Sequence, residues 1–177
     1  MSESRTMNSV NVIETRGLSK VYPGTAALLD VDYKVRRGKV NVLIGENGAG
    51  KSTLMKLLAG AEVPTSGEIL VDEKIAQISD VRSAERHGIG IIFQELNLFP
   101  EMTVAENIFA GNELTSSGVI RRKDEDHQAR ILLDRLQIPI DPRTRLGDLY
   151  VGQQQLVEIA KALSKHIKVL IMDEPTS

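Results

Sequence analysis

The stretch GENGAGKST, Gly45–Thr53, limits what this chain can fold into more than any other. Before it lies KVNVLIG, Lys39–Gly45, a short apolar run that reads as a strand. After it, KSTLMKLLAG, Lys51–Gly60, reads as a helix with Leu54, Leu57 and Leu58 on one face and Gly60 as its left-handed stop. A strand, a glycine-rich turn ending in Lys-Ser and a helix are the sequence form of a loop that wraps phosphate. The chemistry explains the spacing. Gly45, Gly48 and Gly50 allow backbone conformations and a close approach that a Cβ would block. The N–H groups of the run Gly45, Glu46, Asn47, Gly48, Ala49 and Gly50, with the positive end of the helix, form a cradle for an anion. Lys51 adds a point charge for the outer phosphates. Ser52 offers a hydroxyl to Mg²⁺, and Thr53 stands beside it.

Composition narrows the class. The 177 residues are 41% apolar, enough for one ordinary core. Lys and Arg number 22 against 24 Asp and Glu, so the net charge of −2 predicts no nucleic-acid surface. With no cysteine, neither a disulfide framework nor a cysteine zinc site can form. No apolar run nears the roughly eighteen residues of a membrane span. The start has no charged-then-apolar secretory pattern, and residues 1–9 read as a flexible tail.

Along the chain, strand and helix signals alternate. PTSGEILVD, Pro64–Asp72, is a turn and a strand; the segment from Ser79 to Gly88 is a capped helix; Ile89–Phe93 is again a strand. A helix follows over His127–Ile138, with Ile131, Leu132 and Leu136 on one side. Another covers Gln153–Lys165, with Leu156, Ile159, Ala160 and Leu163 at helical spacing. The alternation predicts an α/β fold with a mostly parallel core sheet, and residues 95–165 read as a helical insertion. Arg121–His127 reads as a solvated helix start. His87, His127 and His166 lack metal-ligand spacing and read as surface or helix-end residues. Met102 and Phe109 suit either a core or a partner contact.

The run VLIMDEPTS, Val169–Ser177, puts Asp173 and Glu174 at the end of an apolar strand. Alone, the pair reads equally well as a helix N-cap. With a phosphate loop in the same chain, Asp173 suits the Mg²⁺ water shell and Glu174 suits polarising an attacking water. A guanine-reading N-K-x-D is absent, which argues against a GTPase.

Together with GENGAGKST, the segment LYVGQQQLVEIAKAL, Leu149–Leu163, just upstream of VLIMDEPTS, resembles the signature region of ABC transporter ATPases. IIFQELNLFPEMTVAENIFAG, Ile91–Gly111, resembles that family's Q-loop region, and its QELNL and the later VEIAKALS are similar to the sugar-importer branch. The resemblance covers about residue 10 to the end. It implies a P-loop NTPase cassette with an N-terminal antiparallel β subdomain, and an ATP-binding subunit that uses ATP and Mg²⁺ to drive sugar import. It makes Tyr22 the aromatic that stacks on adenine, and Gln94 the sensor of Mg²⁺ and γ-phosphate. Asp173 and Ser52 would serve the metal and Glu174 would be catalytic. Leu149, Tyr150, Val151, Gly152 and Gln153 would complete the site of a second cassette. Implied partners are integral-membrane permease subunits, that second cassette and, indirectly, a solute-binding protein, at the cytoplasmic face of the inner membrane. Taken by itself, Tyr22 before Pro23-Gly24 also reads as a turn-flanking aromatic.

Two departures stand out. The family's signature commonly reads L-S-G-G-Q, and here Tyr150 and Val151 are bulkier. Family members also continue past the Asp-Glu strand, so the resemblance predicts that the C-terminal part of the core is missing and that the chain alone turns over no ATP. The alternative is a remnant that binds nucleotide or a partner without turnover. A DNA-repair cassette would need a long coiled coil between Gln94 and Leu149, and the stretch is too short and lacks heptads.

Overall fold

The structure, a computed structural model, describes residues 10–92 and 96–172. It divides into two compact units, Met1–Gly90 and Ile91–Ser177.

In the first unit, β1 (Asn11–Tyr22) and β2 (Thr25–Arg36) form a long hairpin. Pro23 and Gly24 close it between the paired Tyr22 and Thr25, and Gly24 takes φ 82°, open to glycine at no steric cost. β3 (Ser66–Val71) pairs with β1, and β4 (Lys74–Ile75) with β3, so the order is β2-β1-β3-β4, antiparallel throughout. Ile13, Leu18, Ile69 and Leu70 are buried on this sheet. α1 (Lys51–Leu58) buries Leu54, Leu57 and Leu58 as their spacing predicts, and each is worth about 1.5–3 kcal/mol removed from water. α2 (Val81–Arg86) starts at a capping box in which Asp80 accepts from the Ser83 N–H and Ser83 accepts from the Asp80 N–H.

The expected strand Lys39–Gly45 does not form. Residues 40–46 carry no strand, and Val40, Val42 and Ile44 are 92%, 71% and 87% exposed. The reason is the ladder. An apolar run becomes a strand only where a neighbour takes its backbone groups, and none is paired to it among the described residues. Instead Asn41 folds its side chain back, accepting from the Arg36 N–H and donating to the Arg36 and Lys39 carbonyls.

In the second unit, β8 (Val169–Met172) pairs with β5 (Ile89–Ile92), whose first half belongs to the other unit. This pair is what the described residues contain of the expected core sheet. Between them come α3 (Val104–Phe109), the small hairpin β6 (Thr115–Ser116) and β7 (Val119–Ile120), α4 (Arg122–Arg135), a 3-10 turn at Leu146–Asp148 and α5 (Val151–Ser164). The helices share one core containing Val104, Ile108, Phe109, Ala129, Leu133, Leu146, Val157 and Ala160. Asn107, fully buried, staples the preceding loop: it accepts from the Phe99 N–H at 2.7 Å and donates to the carbonyls of Phe99 and Thr103 at 3.0 Å. No helix among the described residues is long and apolar enough to cross a membrane.

The predicted face of α4 is rotated, and that of α5 is right at Ala160, which is buried, but wrong at Leu156 and Leu163. On α4 the buried residues are Glu125, Ala129 and Leu133; Leu132 and Leu136 only flank the core, and Ile131 is half exposed. On α5 the buried residues are Val157, Glu158 and Ala160, while Leu156 and Leu163 are each 37% exposed. A one-residue error in phase turns a face by about 100°. The predicted stripes missed it because a buried Glu lies on each true face. The run 121–127 is therefore not simply solvated: Glu125 is 1% exposed, accepts from the Leu114 N–H and pairs with Arg122 at 3.1 Å. Phe109 belongs to the core, which settles one of the two open assignments, while Met102 is half-buried.

Candidate functional site

The candidate site in the first unit is built on α1. Gly48 and Gly50 both take left-handed conformations, φ 83° and 81°. At Gly50 a Cβ would lie 2.6 Å from the Ala27 carbonyl oxygen, so the start of α1 sits against β2 with room only for glycine. No side chain caps this helix, and Gly50 is its N-cap. In any α-helix the first-turn N–H groups lack an intrahelical acceptor, so those of Lys51, Ser52 and Thr53 end at the loop's mouth. Gly45 and Ala49 face each other closely enough that a Cβ on Gly45 would touch the Ala49 methyl at 3.4 Å. The loop is therefore a cradle that added side chains would fill, which fits a phosphate chain.

The Lys51 ammonium donates to the carbonyls of Gly45 and Glu46 at 2.7 and 2.8 Å. This bends the lysine back along its own loop and presents a positive charge inside the ring of glycines. Ser52, next on the helix, is exposed, with its hydroxyl one residue from the lysine. Such a neighbourhood of hard oxygen and phosphate suits Mg²⁺.

Tyr22, at the end of β1, is half-buried beside this loop. Its hydroxyl donates to the Glu62 carboxylate, and the Thr53 side chain lies near it. The acceptor Glu62 holds the phenol proton and pushes the Tyr22 pKa above its usual value. Lys20 lies 5.2 Å from the centre of the Tyr22 ring and 3.5 Å from Glu62. Neither Lys20 nor Glu62 stood out in the sequence. They lie two residues and forty residues from Tyr22, and only the fold brings Glu62 there.

In the second unit, Leu149–Gln153 forms the entrance to α5. Tyr150 is the N-cap, no side chain caps the helix, and Tyr150 and Val151 are 69% and 62% exposed. Gln154 steadies the turn by donating to the Leu149 carbonyl at 2.9 Å. The helix entrance therefore carries two exposed bulky side chains, and no side chain caps its first-turn N–H groups. A Cβ on Gly152 would press on the Tyr150 ring at 3.1 Å, so the glycine makes space for that ring. Deeper on α5, Glu158 accepts from the Asn97 N–H at 3.2 Å, and Lys161 donates to the Asn97 carbonyl at 3.0 Å. Burial pushes the Glu158 carboxyl up, with the Asn97 N–H and the Lys161 charge opposing it. Gln94, Asp173 and Glu174 lie outside the described residues.

A family profile described as ABC transporter matches residues 28–177. The chain belongs to the ABC transporter family. The cassette is 51% identical over 166 residues to a ribose import ATP-binding protein of Rubrobacter xylanophilus, covering 94% of this chain and 33% of that protein. It is 46% identical over 168 residues to a xylose import ATP-binding protein of Thermoanaerobacter pseudethanolicus, covering 94% and 33%. An arabinose import ATP-binding protein of Pseudomonas savastanoi is 46% identical over 178 residues, covering 100% and 35%. The cassette thus spans about a third of the length of these relatives. Among solved structures it is similar to the ADP conformation of an ATP-binding cassette of an ABC transporter, with TM-score 0.82, 29% identity and coverage of 96% of this chain and 70% of that one. A nucleotide-free cassette gives TM-score 0.80 at 28% identity, covering 94% and 70%. The P-loop fold expected from the sequence is therefore the fold of the cassette.

Proposed function

We propose that this cassette is the ATP-binding part of an importer for a sugar, a monosaccharide or sugar alcohol, and that it works at the inner face of a membrane against permease subunits. The observation that carries the nucleotide reading is the glycine cradle of residues 45–53 with Lys51 bent into it and Tyr22 near Thr53 at its side. The sugar reading is supported by the names of the relatives, which concern ribose, xylose and arabinose import.

In this reading the backbone N–H groups of the cradle and the Lys51 ammonium hold the phosphates, and the Tyr22 ring supports the adenine. Ser52, Gln94 and Asp173 hold Mg²⁺, which supplies charge neutralisation on the outer phosphates. Glu174 accepts hydrogen bonding from the attacking water and orients it. Leu149–Gln153 presents an uncapped helix entrance to the nucleotide of a second cassette, so two cassettes make two complete sites. The helical part carries the permease contact around residues 98–109, with the exposed Phe99 (53%) in the loop before α3 as its apolar anchor.

The test is a titration of the purified chain with a fluorescent ATP analogue and Mg²⁺. Lys51→Ala removes most of the affinity, and Tyr22→Ala weakens it less. Unchanged binding in Lys51→Ala overturns the assignment.

A further inference from the structure

We infer that Glu62 is a positioning residue for the adenine base: it fixes the Tyr22 ring, and so sets affinity for the base without touching the phosphates. This rests on the reading above, in which the base lies on Tyr22.

The geometry has three parts. First, the Tyr22 side chain is half-buried at a strand end, so packing alone leaves it rotational freedom, and its hydroxyl is the group tied down. Second, the carboxylate that ties it is itself fixed by α1. The N–H groups of Ala61 and Glu62 both bond the Lys56 carbonyl, at 2.9 and 3.3 Å, just past the end of that helix. α1 begins in the phosphate cradle, so one helix holds the phosphate loop at its start and the adenine platform at its end. Third, Lys20 donates to the Val63 carbonyl at 2.8 Å, lies 3.5 Å from Glu62 and stands over the Tyr22 ring. A planar ring has two faces. The ammonium takes one, which leaves the opposite face for a base. Lys56, at 4.0 Å, is a second cation beside Glu62.

A ring held in its binding position before the ligand arrives does not have to be ordered by it, and that gain goes to affinity. The benefit is specific to ligands that carry a base. Inorganic triphosphate uses the same cradle and never meets the ring, so the two ligands separate the roles.

The experiment is calorimetric titration of the 177-residue chain with ATP and with inorganic triphosphate, both with Mg²⁺, in the unaltered protein and in Glu62→Ala, Glu62→Gln, Tyr22→Phe and Lys51→Ala. Glu62→Ala weakens ATP about three- to tenfold and leaves triphosphate unchanged. Glu62→Gln, whose amide oxygen still accepts from the phenol, restores most of the ATP affinity. Tyr22→Phe matches Glu62→Ala, and combining the two adds nothing further. Loss of both ligands alike in Glu62→Ala and Glu62→Gln, or no change in ATP binding in either, overturns the inference. Unchanged binding in Lys51→Ala, or an unaltered chain that binds neither ligand, sinks the nucleotide reading itself and this inference with it.

Discussion

Gly48 and Gly50 have nearly the same backbone conformation and different surroundings, and replacing each by alanine separates two causes. Both sit at φ just above 80°, where an L side chain costs about 1–2 kcal/mol. Alanine also restricts the unfolded chain, which returns about 0.4–1 kcal/mol. At Gly48 an added Cβ meets nothing within 4 Å, so Gly48→Ala destabilises by the difference, about 1 kcal/mol. At Gly50 the same Cβ lies 2.6 Å from the Ala27 carbonyl oxygen and 3.2 Å from Leu28 Cδ2. Backbone oxygen cannot swing aside, so α1 or β2 must shift, which adds about 1–3 kcal/mol. Gly50→Ala therefore loses about 2–4 kcal/mol in all. Urea unfolding followed by circular dichroism measures both, with the slope checked for constancy. If Gly50→Ala costs no more than Gly48→Ala, the start of α1 does not press on β2 and the argument fails.

Other expectations can be tested in the same preparation. Asn107→Ala leaves the Phe99 N–H without its acceptor and should cost about 2–4 kcal/mol by urea unfolding; a loss under about 0.5 kcal/mol would show the staple carries no stability. Thr103→Ala removes the α3 cap, in which Thr103 accepts from the Glu106 N–H, and should cost about 1 kcal/mol in the same assay. Glu158 titrates above the ordinary carboxylate range because it is buried, so the folded state holds its proton more tightly than the unfolded state. Its contribution then declines as pH rises from the unfolded value through the raised folded one. Melting temperatures of Glu158→Gln relative to the unaltered chain should thus rise between pH 4.5 and neutral; a difference independent of pH refutes this. The purified chain by itself should show no sustained phosphate release that Glu174→Gln abolishes, because in the proposed function the entrance to α5 serves a second cassette; robust Glu174-dependent release refutes it.

The local motifs were readable because their physics is local. Glycines in the 45–53 loop, the Leu54, Leu57 and Leu58 face of α1 and the Pro23-Gly24 turn each depend on neighbours within a few residues. The phosphate cradle therefore stands complete in the order of residues, and so does the family. Segments that depend on distant partners were not readable. KVNVLIG has every mark of a strand, yet residues 40–46 stay irregular, because a strand exists only where another chain segment takes its hydrogen bonds. The face of α4, and part of that of α5, came out rotated because Glu125 and Glu158 look like surface residues until the Leu114 and Asn97 N–H groups arrive to bond them. Hydrophobic patterning assigns charge to the outside and has no access to such partners. Tyr22 shows both limits at once. Its place directly before the Pro23-Gly24 turn lay in the sequence, but its hydrogen bond to Glu62 spans forty residues and exists only because α1 ends where β1 ends. The sequence by itself named the groups proposed to bind phosphate. The tertiary structure decided which distant carboxylate holds the ring beside them, since that contact is made by folding and by nothing closer in the chain.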